Sequence, residues 1–332
     1  MKKRKVALIF ISAILFITLV GCSAYSGEQL VFGTFYSVKL KGTSAASDLK
    51  KIHKLLAEIE AQLSTNIDSS DVYKINNSQA GEPIAVSHHT ITMFKKALEL
   101  YEFTDYAFNA AIFPLVRLWK FSPDTFTQTA DKIPSPAEIE NCLSYCVMGN
   151  FALDEANMTI TKLHPNAMLD FGGIAKGYAV DKAKELSKNN KDILIDIGGN
   201  ITTKGGVKRI GLTHPRNTAK LFGVINLKDL SIATSGDYER FYIHNGVRYN
   251  HIIAKDGYPT GINNNDIISV SVIGESAMMC DALSTAVMIQ GSEWASSVLP
   301  DIGYSCIIIT KEHYQIIGDI DFESTQSAYQ RI

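Results

Sequence analysis

The sequence predicts an α+β fold with mixed or antiparallel sheets and flanking helices, and three observations carry that expectation. Helical and strand-like segments are both plentiful, yet they lack the regular βαβ alternation of a doubly wound sheet. From Ile193 onward, short strand-like runs follow one another between turns. The 332 residues are 46% hydrophobic with no low-complexity stretch, enough to bury one large core.

In chain order, Met1 to Lys5 carries four cations, and Val6 to Val20 is almost wholly apolar. That run is short of the ~20 residues a spanning helix needs, and suits the apolar region of an export signal. It ends in Leu19-Val20-Gly21-Cys22, which looks like a bacterial lipobox, where cleavage leaves a lipid-bearing cysteine. An uncleaved N-terminal anchor is the alternative. Under either reading the rest of the chain is expected at the cell membrane, on its extracytoplasmic face. The expected division is a signal peptide over 1–21, a lipid-anchored tether over 22–29 and a single domain over 30–332. Loss of residues 1–21 moves the formal charge from −2 to about −6, because four cations and no acids leave. Nucleic acid, which needs a basic footprint, is therefore not an expected partner.

The pattern from Leu30 to Lys41 is extended, with Gly33-Thr34 interrupting it. Apolar residues at Leu49, Ile52, Leu55, Leu56, Ile59 and Leu63 predict a helix over 48–63, and Ile91 to Phe103 a second. Residues 122–137 hold three prolines among Ser, Thr and Asp and read as an exposed loop. Tyr178 to Ser187 reads as helix. Strand-like runs follow at 193–197, 207–212, 221–227, 240–243, 247–253 and 267–273, then a helix over 278–290 and a strand over 306–309.

Candidate chemistry begins with Leu169 to Asp181, LDFGGIAKGYAVD. A strand-like run carrying Asp170 ends in Gly172-Gly173 and turns into a helix with Lys176 in its first turn. Paired glycines let backbone approach a ligand, a helix start favours an anion, and a lysine point charge suits phosphate. LIDIGGNI, from Leu194 to Ile201, repeats the strand and Gly-Gly pattern. Together they suggest a site for a phosphorylated ligand, a nucleotide, with two ordinary Gly-Gly turns as the alternative. The three-glycine fingerprint of a Rossmann dehydrogenase is lacking.

Asp281 and Thr285, within CDALSTAVMIQ, share one helix face a turn apart and offer hard oxygen donors suited to Mg²⁺. Their neighbours are apolar, so a buried carboxylate there calls for a cation. The alternative is that Asp281 caps the helix and Thr285 bonds a preceding carbonyl. In IATSGDYERFYIHNGVRYNHII, Thr-Ser-Gly-Asp reads as a turn and His244-Asn245-Gly246 as a hairpin turn. His251 lies at a strand end where its ring can reach a cleft as base or ligand. The other seven histidines read as structural or exposed. Cys142 and Cys146 lack a zinc pattern, and either pair as a disulfide or fill space as small apolar residues.

The ordered set FGTFYSV (32–38), LSTNIDSSDVYKIN (63–76), TDYAFNAAIFPLVRLWKF (104–121), LDFGGIAKGYAVD, LIDIGGNI, ATSGDYERF, YNHII and CDALSTA resembles the FAD:protein FMN transferases, the ApbE family. The resemblance runs from about residue 30 to about residue 310 and implies an ApbE-like, T-fold-related catalytic domain. It implies an enzyme that cleaves the pyrophosphate of FAD, joins FMN through its phosphate to a threonine hydroxyl, and releases AMP. The acceptor would be an exported or membrane flavoprotein. By resemblance, Asp281, Thr285 and the carbonyl of Gly173 bind Mg²⁺, while His251 is the candidate base. Phe32, Asn66, Ala107, Phe108, Asn109, Asp170, Lys176 and Ile253 are the implied FAD contacts. Phe32 replaces a frequent methionine, and Asn66 a common tyrosine. The loop after His251 departs from the family's Asp-Pro-basic-Thr-Gly and runs one residue shorter. A Mg²⁺-dependent FAD pyrophosphatase giving FMN and AMP, and a non-catalytic flavin-binding lipoprotein, are the alternatives.

Overall fold

A hairpin of β1 (Ala24–Val31) and β2 (Thr34–Lys41) comes first in the computed structural model, which describes residues 24–126, 132–327 and 329–332. The expected export signal and Cys22 lie outside these residues. Among the described residues, no helix is long and apolar enough to cross a membrane. The elements that follow are α1 (Ala45–Leu63), α2 (Asp71–Asn77), β3 (Pro83–Ala85), α3 (His88–Phe103), α4 (Phe113–Leu118), α5 (Pro136–Leu143), β4 (Phe151–Asp154) and β5 (Thr159–Lys162). Next come α6 (Ala175–Leu186), β6 (Asp192–Ile197), β7 (Asn200–Lys204), β8 (Lys208–His214), β9 (Asn217–Leu227), β10 (Ser231–Gly236), β11 (Phe241–His244), β12 (Val247–Asn250) and β13 (Ser269–Gly274). The chain closes with α7 (Ala277–Gln290), α8 (Ser292–Val298), β14 (Ser305–Ile309), β15 (His313–Ile317), β16 (Phe322–Ser324) and β17 (Gln330–Arg331). This is the expected α+β class.

The main sheet has nine strands in the order β1-β2-β6-β7-β10-β13-β14-β15-β17. All neighbours are antiparallel except β15 and β17. Period-two burial decides its two faces. Ile193, Ile195 and Ile197 of β6 point into a core built with α1, α3 and α6, whereas Leu194 faces the β16-β9-β8 sheet on the other side. α7 lies beside α6 and packs Leu283 and Val287 over Ala233, Val270 and Val272. A smaller aromatic cluster joins α4, α5 and the β11–β12 hairpin, where Trp119, Tyr249, Tyr242 and Phe121 stack in succession.

Several expectations need correction. Residues 24–29, read as part of a tether, pair with β2 along the sheet edge. Their exposed outer face hides the usual alternation of an edge strand. The loop read over 122–137 ends at Ser135, which starts α5 through a capping box with Glu138 and Pro136 in the first turn. Thr234-Ser235-Gly236 is not a turn but the end of central strand β10, its hydroxyls bonded to Ser271 and Ser284. The run before Gly172-Gly173 joins no sheet. The second Gly-Gly pair is a two-residue hairpin turn between β6 and β7, both glycines at positive φ. Of the two readings open for Cys142 and Cys146, the structure has them as free, buried thiols, the space-filling alternative. Asn245-Gly246 does form the expected hairpin turn between β11 and β12.

Among the described glycines, the one whose added Cβ would meet backbone most closely lies where α6 crosses α7. A Cβ at Gly177 would stand 2.3 Å from the carbonyl oxygen of Ala277 and 2.7 Å from the Cα of Met278. Alanine would gain about 1 kcal/mol in helix propensity, but backbone on the far side cannot yield as a flexible side chain would. Overpacking of this kind costs about 1–3 kcal/mol and sometimes more. Gly177→Ala is therefore expected to lower stability by about 2 kcal/mol or more in urea unfolding. An unchanged midpoint would show that the helices separate freely.

Candidate functional site

One cleft of about 1150 Å³ opens between the main body and the aromatic cluster. That volume lies just above the ~300–1,000 Å³ typical of small-molecule sites. All twelve cleft candidates line it: Phe32, Asn66, Ala107, Phe108, Asn109, Asp170, Gly173, Lys176, His251, Ile253, Asp281 and Thr285. They come from segments spread between the first hairpin and α7, so the fold brings together what the sequence holds apart. A shallower depression of about 440 Å³ beside Asp181, Lys184 and Tyr304 contains none of them.

The polar corner is built where α6 and α7 cross. Asp181 of α6 accepts bonds from Ser276 Oγ and the N–H groups of Ala277 and Met278, at 2.6–3.0 Å, and so fixes the start of α7. One turn further along, buried Asp281 accepts the Gly177 N–H through Oδ2 at 3.0 Å. Its Oδ1 makes no hydrogen bond among the described residues and lies 3.6 Å from Lys176 Nζ. Thr285 Oγ1 is 3.3 Å from Ser235 Oγ. A methyl group added at Gly173 would sit 3.8 Å from that hydroxyl and 3.2 Å from the Phe108 ring.

Neither bland alternative for this pair holds. Ser276, not Asp281, caps α7, and it is Ser284, not Thr285, that bonds the carbonyl of Asp281. One carboxylate, one hydroxyl and the nearby Gly173 backbone form a hard-oxygen set that could hold a divalent cation with positions to spare. Among the described residues no three His, Cys, Asp or Glu side chains cluster for a metal, so this mixed set is the available one.

The helix start differs from the expected bare anion cradle. The Gly172 N–H is taken by Asp170 Oδ1 at 2.8 Å, and the Gly177 N–H by Asp281. Two carboxylates thus occupy amides that an anion would use. Positive charge facing the cleft comes instead from Lys176 and from Arg240, which sequence reasoning missed. Arg240 is exposed and makes no ion pair among the described residues. The only sequence signal for it was its place three residues after Thr-Ser-Gly-Asp, immediately before β11. Burial raises the pKa of Asp170 above the carboxylate range, against the Gly172 bond and the charges of Arg240 and Lys176.

His251 follows β12 directly, and its backbone N–H and Nδ1 both face the carbonyl of Arg240, at 3.0 and 3.3 Å. A carbonyl only accepts, so the proton belongs on Nδ1 and the Nε2 lone pair remains free. Desolvation, with the charges of Arg240 and Lys176, pushes the ring down to about 4. The imidazole is therefore neutral at physiological pH. The loop after it is tight and anchored: Asn250 holds Thr260 and the Ile252 N–H, and Ala254 and Tyr258 bond backbone to backbone. Ile253 is buried there against the aromatic cluster.

The remaining candidates differ in how free they are. Phe32 is held in a left-handed conformation at the β1–β2 turn by a 2.8 Å bond from its N–H to Glu60. Asn66 is exposed, and its N–H bonds Ser64. Asn109 uses both ends of its amide within the protein, capping Ala111 and reaching the carbonyl of Cys146. Phe108 and Ala107 are nearly fully buried. Among the other histidines, His53 and His89 pair with the hydroxyls of Tyr36 and Tyr178.

Known proteins resemble the chain over most of its length. The ApbE family model matches residues 32–308. A FAD:protein FMN transferase of Vibrio cholerae is 33% identical over 80% of this chain and 81% of its own. One of Klebsiella pneumoniae is 30% identical over 93% and 97%. The crystal structure of an ApbE protein from Thermotoga maritima superposes with a TM-score of 0.77 at 29% identity, covering 92% of this chain and 98% of that one. The flavin transferase ApbE of Vibrio cholerae gives 0.75 at 28% identity, covering 93% and 98%.

The depressed pKa of His251 has a consequence for stability. Its folded value of about 4 lies below the ordinary 6.5, so between these the unfolded chain binds a proton that the folded chain does not. Stability is full above about 6.5 and falls as pH drops toward 4. Urea unfolding at several pH values should show a shallower loss for His251→Gln than for the wild type across that window. Parallel pH profiles would mean that His251 titrates normally.

Proposed function

The chain belongs to the ApbE family, and we propose that it transfers the FMN half of FAD to a threonine hydroxyl of an acceptor protein, releasing AMP. The observation that carries this reading is the meeting of Asp281, Thr285, Gly173 and Lys176 at one corner of a cleft that also presents a neutral His251. A pyrophosphate placed there would meet Lys176 and Arg240 directly. Asp281, Thr285 and the Gly173 carbonyl would hold Mg²⁺, which when bound neutralises phosphate charge and stabilises a departing phosphate.

The chain's own groups account for the rest. The Nε2 lone pair of His251 takes the proton of the acceptor threonine as its oxygen bonds to the FMN phosphorus. The bond from that phosphorus to the bridging oxygen breaks, and its electron pair leaves with AMP. Lys176, fixed by the first turn of α6, orients the phosphates, and Asp170 stands before that helix, bonded to the Gly172 N–H. Phe32, Asn66, Ala107, Phe108, Asn109 and Ile253 are the proposed walls for the rest of the FAD.

The same reading anchors the enzyme by lipid on Cys22 at the extracytoplasmic face, where an exported or membrane flavoprotein would be its partner. With β1 beginning two positions after Cys22, the folded body would sit close to the bilayer.

The test combines the protein with FAD, Mg²⁺ and an exported FMN-binding domain carrying an acceptor threonine, and reads covalent flavin fluorescence on a denaturing gel. A labelled band is expected. EDTA or Asp281→Ala should abolish it, and His251→Ala should slow it by about 10²–10⁴-fold. AMP released without a band would favour FAD hydrolysis, and bound FAD with neither product would favour a binding protein.

A further inference from the structure

The geometry points to Tyr106 as a binding residue that stacks on a planar ring of FAD at the cleft mouth, an inference that rests on the reading above. Tyr106 lines the cleft, and 49% of it is exposed. Its ring packs on Tyr101, with centroids 4.7 Å apart at 50°, and Tyr101 lines the same cleft. Tyr106 thus rests on Tyr101 on one side and stays about half exposed at the cleft, so the two rings form a ledge. Aromatic and heteroaromatic rings stack favourably on such a ledge.

The backbone beneath it makes the choice of residue unusual. α3 ends at Phe103, and the Tyr106 N–H reaches back to the carbonyl of Tyr101 at 2.7 Å, as in a glycine-terminated helix end. Here Asp105 and Tyr106 adopt the left-handed conformation in succession, at φ of 48° and 65°. Side chains other than glycine are strained there. The helix stop does not need a tyrosine, because glycine would make the same backbone bond without strain.

The segment is also tied down. Thr104 bonds both the Leu100 carbonyl and the Phe108 N–H through its hydroxyl, and its own carbonyl accepts Gln290 Nε2 at 2.8 Å. Lys255, in the loop after His251, pairs with Asp105 at 2.9 Å. These bonds hold the ledge toward the cleft that contains Lys176 and His251. A strained, half-exposed ring fixed toward a substrate cleft is what a ring-binding platform requires.

Fluorescence and calorimetric titrations of the full protein with FAD, riboflavin and AMP would test this, with Tyr106→Gly, Tyr106→Leu and Tyr106→Phe. Glycine and leucine should weaken FAD binding about tenfold, and phenylalanine should bind within about twofold of the wild type. Tyr106→Gly should keep or raise Tm, since it relieves the left-handed strain, whereas a purely structural tyrosine would lose Tm and leave affinity unchanged. Weakening confined to riboflavin assigns the isoalloxazine to the ledge, and weakening confined to AMP assigns the adenine. Affinity unchanged in all three variants, or phenylalanine failing as glycine does, overturns the stacking role alone. A wild-type protein that binds no flavin overturns the parent reading with it.

Discussion

The close crossing of α6 on α7 is the constraint on which the site depends. Gly177 allows it by having no side chain, and two carboxylates exploit it in opposite directions. Asp181 reaches from α6 to cap α7, while Asp281 reaches from α7 to the Gly177 N–H of α6. Each helix thus fixes the other's first turns, and Lys176, Asp281 and Thr285 inherit their positions from that pairing. Buried carboxylates are costly unless hydrogen-bonded; these bonds satisfy Asp181 and one oxygen of Asp281 and set the geometry, leaving Asp281 Oδ1 facing Lys176.

A second consequence is electrostatic. The start of α6 carries the positive end of its dipole, yet Asp281 takes the Gly177 N–H there and Asp170 the Gly172 N–H just before it. An anionic ligand is then met by the side-chain charges of Lys176 and Arg240 and, on the proposed reading, by the cation that Asp281 would hold. On that reading the corner would respond to a metal, where a bare helix start would bind phosphate alone. Across the cleft, His251 stays neutral because its surroundings are desolvated and already positive. That suits a proton acceptor, and the carbonyl of Arg240 leaves the useful nitrogen free.

Much of this was legible in the sequence where residues carry their own geometry. The apolar spacing of α1 gave its buried face, and Leu49, Ile52, Leu56, Ile59 and Leu63 are all in the core. Asp281 and Thr285 were visible as a polar pair in an apolar helix. What was hidden depends on partners far along the chain. Thr234-Ser235-Gly236 has the composition of a turn, and only Ser271 and Ser284 make a buried strand of it. β1 is an edge strand with a polar outer face, so its alternation is weak. The second Gly-Gly pair matched the first in letters, but a hairpin followed it because β7 pairs back on β6. Arg240 and Tyr106 stood in no recognisable spacing, and tertiary placement alone gives them meaning.

The central claim is that FAD's pyrophosphate binds a metal held by α7 and the Gly173 turn. Substituting Mn²⁺ and recording electron–nuclear double resonance would test it directly. With FAD bound, the account predicts ³¹P hyperfine coupling from phosphate coordinated to Mn²⁺, lost in Asp281→Ala. Tight Mn²⁺ binding with FAD present and no phosphorus coupling would contradict it.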